Sequence, residues 1–483
     1  MERLYKELEN FSKKDYYPFH MPGHKRNPFS IDGNFPFERD ITEIEGFDNL
    51  HHPEGIIKEA QENLAKLYGT KESFFSVNGS TAALLAAISA SVKKGGQILV
   101  ARNCHKAVYN GIYLRDLIPT YIYPHSDNIL GINGGISPSR VERYLEENTN
   151  IEAVLITSPT FDGVVSDVEK IAEITHKYDI PLIVDEAHGA HFRYSDYFPK
   201  SAVDSGADLV IQSFHKTLPA MTQTAVLHCC SDRVDREKIK RFMGIYQSSS
   251  PSYILMASLD ACVDKMERDG KKMFEEFTRN LSKARERLEA CGFVRLVSEE
   301  ELNSLSGFYD FDRSKLLLAT DRSSLNGPKL SNILLEKYHI QTEMTTENYV
   351  LAMAAVGDTQ EGFKRLCDAI EEIDREESLK KTETREKEIS TRRECSPMKQ
   401  IMTISQAMDA SVRSCPLEES VGKISAEFAY LYPPGIPIIV PGEQITGLFV
   451  RNVRRYMEQS LNLQGLCDDS NQTICVVKEQ SEK

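Results

Sequence analysis

The sequence predicts an α/β fold in which a largely parallel sheet is covered by helices on both faces, and three observations support this prediction. Short apolar segments alternate with amphipathic helical segments from about residue 56 onwards. Several apolar segments are rich in Val, Ile and Leu along their whole length, which is typical of buried parallel strands. Polar side chains follow directly where several of these segments end, as they do at the ligand-binding edge of such a sheet.

The elements can be justified in chain order. GIIKEAQENLAKLYG (55–69) has apolar residues at helical spacing and stops at Gly69. ESFFSV (72–77) is then an expected strand, and STAALLAAISASVKKGG (80–96) is an expected helix closed by its glycines. The remaining expected strands are QILVARN, TYIYPH, EAVLITSP, IPLIVDEA, DLVIQSF and QTAVLHCC. Helical segments such as DVEKIAEITHKYD (167–179) fall between several of them, which favours parallel strand connections.

The second half of the chain changes in character. A long amphipathic segment (253–292) is typical of a helix that joins two domains, and strands and helices from about 293 to 370 indicate a smaller α/β unit. The prolines of YLYPPGIPIIVPGE (430–443) exclude a central strand or an uninterrupted helix there. The predicted divisions are an N-terminal segment and large domain (1–270), a small α/β domain (271–375), a charged linker (376–399) and a C-terminal domain (400–483).

Composition and charge argue against several classes of function. The net charge of −14 and the pI near 5.5 argue against nucleic-acid binding, which calls for a basic surface. No apolar run approaches the roughly 20 residues that span a bilayer, and the charged N-terminus does not resemble a signal peptide. The ten cysteines show no CxxC motif and no repeated ligand spacing, so we expect reduced thiols. We therefore expect a soluble cytoplasmic protein that binds neither nucleic acid nor membrane.

Two polar clusters near strand ends are candidates for ligand binding. The sequence NGST (78–81) lies between a predicted strand and a predicted helix, where free N–H groups, two hydroxyls and the helix dipole could bind a phosphate. A Ser or Thr at this position is often only a helix N-cap. Asp185 ends the apolar segment IPLIVD, and a carboxylate there is often functional, with capping or a turn as the alternative.

Two further clusters contain histidine and lysine. Ser213, His215 and Lys216 end the apolar segment DLVIQSF, and a lone lysine at a strand end normally extends into water. Here Ser213 and His215 could bind a phosphate while Lys216 faces inward. An inward-facing amine is tolerated when it is neutral or engaged in a Schiff base. His105 follows the strand QILVA, although a lone histidine is more often structural than catalytic.

Taken together, these four clusters predict a pyridoxal phosphate pocket. The predicted roles are phosphate binding by Gly79, Ser80, Thr81, Ser213 and His215, pairing with the protonated pyridine nitrogen by Asp185, a Schiff base on Lys216, and stacking on the ring by His105. The chain order of phosphate loop, Asp and Lys matches the type I fold of pyridoxal phosphate enzymes, and the interval from Asp185 to Lys216 leaves room for one helix and one strand.

Eight sequence blocks carry a resemblance to a known family. They are FHMPGHKRN (19–27), FDNLHHPEG (47–55), SVNGSTA (76–82), RNCHKAVYNG (102–111), DEAHGAHF (185–192), SFHKTLPA (213–220), SSSPSYILMASLD (248–260) and SAEFAYLYPPGIPIIVPGE (425–443). In this order they resemble the Orn/Lys/Arg decarboxylases over nearly the whole chain. These are bacterial pyridoxal phosphate enzymes that release CO₂ from basic amino acids and form the corresponding amines.

The resemblance implies further features. It implies a type I, aspartate aminotransferase-like large domain with a mainly parallel seven-stranded sheet, a smaller α/β domain and a C-terminal α+β domain. It places Glu443 near the distal cation of the substrate, and Ser249 near the cofactor phosphate of a neighbouring subunit in a homodimer. His188 takes the place of the aromatic residue that large family members carry beside the ring. The chain starts almost at the FHMPGHK block, without the wing domain of those members, so a dimer or tetramer is expected rather than a decamer.

Other interpretations of the sequence remain open. Another type I enzyme, such as an aminotransferase, aldolase or desulfurase, would share the Asp and the Lys, and an inactive homologue could bind the cofactor without turnover. The DEAH sequence at 185–188 also occurs in helicases, but no GxxxxGK[ST] phosphate loop accompanies it. No metal site is expected, because His51–His52 and His188/His191 have no convincing third ligand. Arginine, lysine and ornithine all remain candidate substrates, with arginine or lysine favoured.

Overall fold

The structure, a computed structural model, describes residues 2–27, 31–127, 129–380, 397–432, 435–459 and 461–478. The helices of its first and largest unit are α1 (Leu4–Ser12), α2 (Ile56–Tyr68), α3 (Gly79–Ser91), α4 (Lys106–Leu114), α5 (Pro138–Glu147), α6 (Val168–Lys177), α7 (Phe214–Thr217), α8 (Arg236–Tyr246) and α9 (Tyr253–Glu289). Its strands are β1 (Glu72–Ser76), β2 (Gln97–Ala101), β3 (Ile118–Ile122), β4 (Ile151–Thr157), β5 (Val164–Val165), β6 (Leu182–Asp185), β7 (Leu209–Gln212) and β8 (Ala225–Cys229).

Within the described residues, all of these strands except β5 form a seven-stranded sheet in the order β1-β8-β7-β6-β4-β2-β3. The pairs from β7 through β3 are parallel, and β8 runs antiparallel to both of its neighbours. The central strands are buried along their whole length, as expected for a sheet covered on both faces. The predicted mainly parallel sheet is therefore confirmed.

Helix α3 shows where one predicted boundary was wrong. This helix is apolar on all sides because it packs between the sheet and the helices α4 and α8. The sequence predicted that it would continue to Gly95 and Gly96, but it ends at Ser91. Val92 adopts an extended conformation (φ −122°, ψ 130°) and is buried, so burial of its side chain ends the helix before the glycines are reached. Helix α2, by contrast, ends just before Gly69, as predicted, and Gly69 adopts a left-handed backbone conformation.

The long helix α9 connects the two α/β units. Its first half binds the N-terminal segment through Arg3, which forms ion pairs with Asp260 and Asp264. Near its end, Arg287 forms an ion pair with Glu371 of the following unit. The predicted boundary after residue 270 lies inside this helix, and the domain divisions stay predictions.

The second unit is a small α/β sandwich. Its helices are α10 (Glu299–Asn303), α11 (Gly327–Tyr338) and α12 (Gln360–Leu379), and its strands are β9 (Arg295–Leu296), β10 (Asp310–Phe311), β11 (Lys315–Ala319), β12 (Met344–Thr345) and β13 (Tyr349–Met353). The antiparallel sheet has the order β12-β13-β11-β9. Strand β10 pairs instead with β5 of the large unit, which brings the start of β11 close to the large sheet.

The C-terminal unit is an α+β structure. It contains α13 (Ile404–Met408), α14 (Gly447–Glu458), β14 (Val412–Pro416), β15 (Ala429–Leu431), β16 (Ile436–Ile439), β17 (Leu463–Gln464) and β18 (Thr473–Val477). Strand β16, which contains Pro437, lies at the edge of the sheet β16-β15-β17, in agreement with the exclusion of a central strand there. Helix α12 occupies the first residues of the predicted linker, and residues 381–396 of that linker lie outside the described residues.

Candidate active site

The carboxyl ends of several strands meet at one edge of the large sheet, and residues of the predicted pocket follow them. Helix α3 begins at Gly79 after β1, His105 follows β2, and Asp185 ends β6. Ser213 and Lys216 follow β7, the next strand in the sheet. Parallel strands place their carboxyl ends side by side, so the fold brings together residues that are far apart in the sequence.

The N-terminus of α3 and the end of β7 form a small polar cradle. Ser80 Oγ lies 2.6 Å from Ser213 Oγ. The N-cap residue Asn78 gives no side-chain hydrogen bond to the first turn, and Gly79 adopts a φ of +72°, with the backbone oxygen of Gln223 at 3.9 Å from the position of a Cβ. Uncapped N–H groups, hydroxyls and the helix dipole favour an anion, so the cradle is suited to a phosphate. Thr81 is exposed at its rim.

His215 lies beside this cradle in a defined tautomer. Its Nδ1 lies 2.7 Å from the carbonyl oxygen of Thr224, and because a carbonyl only accepts, Nδ1 carries the proton. Burial lowers the pKa of His215, and the nearby charge of Lys216 lowers it further. The neutral ring therefore presents a lone pair at Nε2, and a contact with phosphate would require a second proton there.

Asp185 is buried at the end of β6 with few protein partners. Its Oδ1 accepts a hydrogen bond from the backbone N–H of Ala187 at 3.1 Å. Burial raises the pKa of Asp185, and the charge of Lys216 acts against this rise. A buried carboxylate of this kind gains stability from a cationic partner, such as a protonated ring nitrogen.

Lys216 lies half-buried in α7, and its nearest polar neighbour is a histidine rather than a carboxylate. Lys216 Nζ lies 3.0 Å from His188 Nε2, and within the described part of the chain it forms no ion pair. Burial lowers the pKa of Lys216, Asp185 raises it and Lys315 lowers it. His188 is buried and packs edge-on against Phe161. Lys216 and His188 are therefore in contact, and the roles predicted for Lys216, Asp185 and His188 stay predictions.

A chain of buried charged groups continues from His188 into the second unit, and the sequence did not predict it. Lys315 Nζ lies 3.3 Å from His188 Nδ1 and 3.7 Å from Asp312 Oδ2. Asp312 Oδ1 lies 3.1 Å from His191 Nε2. Lys315 begins the apolar strand β11, and nothing in the local pattern KLLLA distinguishes it from an exposed lysine at a strand end. The pairing of β10 with β5 holds the start of β11 beside the large unit, where Lys315 reaches His188.

His105 has both a structural contact and a position at the pocket. It is the N-cap of α4, and its Nδ1 accepts a hydrogen bond from Ala107 N at 3.2 Å. Burial lowers the pKa of His105 to about 4, with smaller contributions from Lys216 and Lys106. Gly435 of the C-terminal unit lies against the His105 ring, since a Cβ at position 435 would be 3.4 Å from ring atoms of His105. The predicted stacking of His105 on a cofactor ring stays a prediction.

Glu443 is fully buried and its carboxylate is already engaged. Arg102 Nε donates to Oε1 at 3.3 Å and Arg102 Nη2 donates to Oε2 at 3.0 Å. The backbone N–H of Val440 also donates to Oε2, at 2.9 Å. Contact with the distal cation of a substrate would require this ion pair to open, so the geometry favours a structural role, and the substrate contact of Glu443 stays a prediction.

The other predicted residues lie at the surface or serve structural contacts. Ser249 is exposed in the segment before α9, and its contact with the phosphate of a neighbouring subunit stays a prediction. His51 Nε2 lies 2.7 Å from the backbone oxygen of Ser248 in the same segment. The nine described cysteines form no disulfide, and no described helix is long and apolar enough to cross a bilayer.

One group of potential metal ligands lies in the C-terminal unit and was missed by the sequence analysis. Ligand atoms of Glu427, Cys467 and Cys475 lie within 4.8 Å of one another. The carboxylate oxygens of Glu427 already accept hydrogen bonds from the backbone N–H groups of Cys467 and Cys475, both at 2.9 Å. These contacts give Glu427 a structural function in the absence of an ion.

The sheet order, together with an amine at the end of β7 and a carboxylate at the end of β6, defines the large unit as a type I fold of the pyridoxal phosphate enzymes. A ureidoglycine–glyoxylate aminotransferase from Bacillus subtilis shares this fold with a TM-score of 0.55 at 12% identity, over 68% of this chain and 86% of that chain. The chain belongs to the Orn/Lys/Arg decarboxylase family: residues 2–362 match the model of its major domain and residues 385–465 that of its C-terminal domain.

Two relatives cover nearly the whole chain. An arginine decarboxylase from Bacillus subtilis is 33% identical over 488 aligned positions, which cover 99% of this chain and 98% of that protein. The crystal structure of a lysine decarboxylase from Francisella novicida has a TM-score of 0.81 at 21% identity, over 98% of this chain and 81% of that chain. The predicted family and fold class are therefore confirmed.

Proposed function

We propose that this protein decarboxylates a basic amino acid, using pyridoxal phosphate bound covalently to Lys216. The observation that carries the proposal is the amine of Lys216, which lies at the carboxyl edge of the sheet beside Asp185 and His188 without an ion-pair partner in the described residues. Membership of the decarboxylase family supports the reaction, and the names of the relatives support arginine or lysine as the substrate.

The residues present fit this cofactor. The uncapped N-terminus of α3 and the paired hydroxyls of Ser80 and Ser213 suit its phosphate. Asp185 is a buried carboxylate that accepts one hydrogen bond within the described part of the chain, from the backbone N–H of Ala187, and it would keep a ring nitrogen protonated. When bound, pyridoxal phosphate supplies an aldehyde that condenses with amines and a ring that accepts the electrons of the bond to the departing carboxylate.

The protein side chains would hold the reacting groups and move protons. Burial lowers the pKa of Lys216, Asp185 raises it and Lys315 lowers it, and the net decrease favours the neutral form of Nζ that would act as the nucleophile. His188 Nε2 lies 3.0 Å from this atom and can exchange a proton with it. The closeness of these groups within one pocket removes much of the entropic cost of bringing them together.

Arg102 is not available as the arginine clamp that amino-group transfer typically uses. A transaminase typically clamps the substrate carboxylate with an arginine, whereas a decarboxylase should leave that carboxylate weakly solvated. Arg102 follows β2 at the pocket edge, but it is held by Glu443 and donates to the backbone oxygen of Pro437 at 2.6 Å. It is therefore not free to bind a substrate carboxylate.

A second copy of the chain would complete the site in a homodimer. Several large apolar side chains of the N-terminal segment are exposed, including Phe19 at 92% and Tyr17 at 74%. Exposed aromatic clusters of this kind usually mark a surface that another molecule covers. Ser249 is exposed as well, so the proposal that it reaches the phosphate of the neighbouring subunit is sterically possible.

The test is to reduce the purified protein with borohydride and to map the modified peptide by mass spectrometry. We expect a pyridoxyl adduct on Lys216, no adduct in Lys216→Ala, and an unchanged adduct in Lys170→Ala, which removes an exposed lysine. Assays with arginine, lysine and ornithine should then release CO₂ together with the corresponding amine. An adduct at another position would overturn the cofactor assignment, and transfer of the amino group without CO₂ would overturn the reaction.

A further inference from the structure

Lys315 occupies a position that is difficult to explain by packing alone. It begins β11 and its side chain is 0% exposed. Gly163 makes room for it, since a Cβ at that glycine would lie 2.7 Å from Lys315 Cγ, and Gly163 has a φ of +103°. A buried amine is costly unless nearby groups stabilise its charge. The burial of Lys315, and the glycine that leaves room for its side chain, therefore require an explanation other than packing.

Asp312 supplies the charge that an ammonium at Lys315 needs. Asp312 Oδ2 lies 3.7 Å from Lys315 Nζ, and within the described residues this oxygen has no hydrogen-bond partner. Burial raises the pKa of Asp312, but the charges of His191 and Lys315 outweigh this and hold it well below its usual range. Burial lowers the pKa of Lys315, and Asp312 offsets part of that effect. Of the two lysines beside His188, Lys315 is thus the one with an ion-pair partner.

The two nitrogens of His188 face different lysines. Nδ1 lies 3.3 Å from Lys315 Nζ, and Nε2 lies 3.0 Å from Lys216 Nζ. An ammonium has no lone pair and can only donate, so a charged Lys315 makes Nδ1 an acceptor. A neutral imidazole carries a single N–H, which must then be on Nε2 and must donate towards Lys216.

We propose that Lys315 is a positioning residue that fixes the tautomer of His188, so that an N–H at Nε2 always faces Lys216. This inference rests on the proposed function, because the tautomer matters for catalysis only if Lys216 carries the cofactor. It assigns unequal charges to the two lysines: Lys315 is the ammonium held by Asp312, and Lys216 is the neutral amine that accepts from His188. The strand β11 of the small unit thereby sets the protonation of a group in the large unit.

The groups that face His188 support a neutral ring. Burial lowers the pKa of His188 well below its usual range, and a positive charge on Lys216, Lys315, His191 or His105 would lower it further. Among the described residues, the His188 ring also contacts the edge of the Phe161 ring, which carries no charge. Substitution of Lys315 by an uncharged residue should therefore make the ring more basic and allow both neutral tautomers.

The first test reads the tautomer directly, by nitrogen NMR of the protein labelled with ¹⁵N-histidine, recorded with the cofactor bound and again after the cofactor has been stripped. The signals that disappear in His188→Gln identify His188 among the 12 histidines. We expect an unprotonated Nδ1 and a protonated Nε2 in the wild-type protein, and a mixture of tautomers or a protonated ring in Lys315→Met. A protonated Nδ1 in the wild type would overturn the proposal. This measurement remains decisive even if Lys315→Met does not fold.

The second test follows the amine of Lys216. Pyridoxal phosphate is added back to cofactor-stripped protein, and the absorbance of the bound cofactor gives the rate of attachment as a function of pH. Loss of the neighbouring positive charge should favour the protonated form of Lys216, so we expect attachment at neutral pH to slow by about tenfold in Lys315→Met. Lys329→Met, a matched change at an exposed position of α11, should leave the rate unchanged.

The outcomes separate this inference from the proposed function. If Lys315→Met follows the wild-type pH profile, Lys315 does not control the site, and the proposal fails even though the cofactor binds. If no cofactor attaches to Lys216 in the wild type, the proposed function fails, and the NMR measurement still decides the tautomer. Recovery of the wild-type pH profile in Lys315→Arg would show that the positive charge, rather than the packing of the side chain, is what the site requires. Failure of Lys315→Arg to recover the profile, with the protein folded, would count against a role of that charge.

Discussion

Replacement of Glu443 by glutamine separates two roles that this residue could have. The substitution keeps the size and most of the hydrogen-bonding shape of the side chain, but it removes the negative charge. Arg102 would then be a cation without its partner in a position where its side chain is only 7% exposed. The ion pair joins the C-terminal unit to the end of β2, so its loss should weaken the attachment of that unit to the large unit.

The expected magnitude follows from the burial of both partners. Removal of one partner from a buried ion pair typically costs about 3–5 kcal/mol, because the remaining charge stays desolvated. Arg102 keeps its hydrogen bond to Pro437 O and its position near the rings of Tyr109 and Tyr121. These contacts compensate for part of the loss, so we expect the free energy of unfolding to decrease by about 3 kcal/mol, the lower end of this range.

The assay is urea unfolding of the wild type and of Glu443→Gln, followed by tyrosine fluorescence because the chain has no tryptophan. Glu142→Gln is a matched control, since Glu142 forms an ion pair with Lys177 at 3.4 Å in which both side chains are exposed. Its loss should cost roughly 1 kcal/mol or less. The Michaelis constant for the preferred substrate is measured on the same preparations.

The result that would refute this reasoning is specific. If Glu443→Gln unfolds at the wild-type urea concentration while its Michaelis constant rises strongly, the carboxylate binds the substrate and the ion pair has no structural importance. A clear loss of stability together with an unchanged Michaelis constant would instead remove Glu443 from the substrate site.

The remaining predictions concern the cradle and acid stability. Ser213→Ala should weaken pyridoxal phosphate binding by about tenfold or more, because a hydrogen bond to a charged group contributes roughly 1.5–3 kcal/mol. Equilibrium dialysis measures the affinity for the cofactor, and an unchanged affinity would exclude Ser213 from the site. Burial lowers the pKa of His228 from 6.5 to about 3, so the unfolded chain binds a proton that the native protein does not, and stability falls as pH falls through this window. His228→Gln should make this fall less steep in urea unfolding across the same window, and an equal slope would contradict the reasoning.

The main elements of the fold could be predicted because their signals are local. Apolar runs marked the buried strands, Gly69 marked the end of α2, and Asp185 and Lys216 were recognised because they follow such runs. The end of α3 could not be predicted from its residues, since burial of Val92 in an extended conformation outweighed the signal of the later glycines. The resemblance of the sequence blocks added the family, which local patterns do not reveal.

The site was only partly predictable, for a related reason. Glu443 was predicted to meet a cation of the substrate, but the fold places Arg102, from a position 341 residues earlier, against it. Lys315 was not predicted at all, because its sequence environment is that of an ordinary strand. Both contacts depend on how separate units dock, and no periodicity in the sequence encodes such docking.

The sequence by itself determined the α/β class and the positions along the chain at which polar residues follow the strands. It also determined which amine and which carboxylate, Lys216 and Asp185, are candidates for the pocket. These features depend on side-chain type and on neighbours within one element, which are properties of a short segment. Only the tertiary structure decided which charges neutralise one another: Arg102 with Glu443, and Asp312 with Lys315. The physical reason is that the energy of a charge depends on its burial and on the distance to its partner, and both are set by contacts between distant parts of the chain.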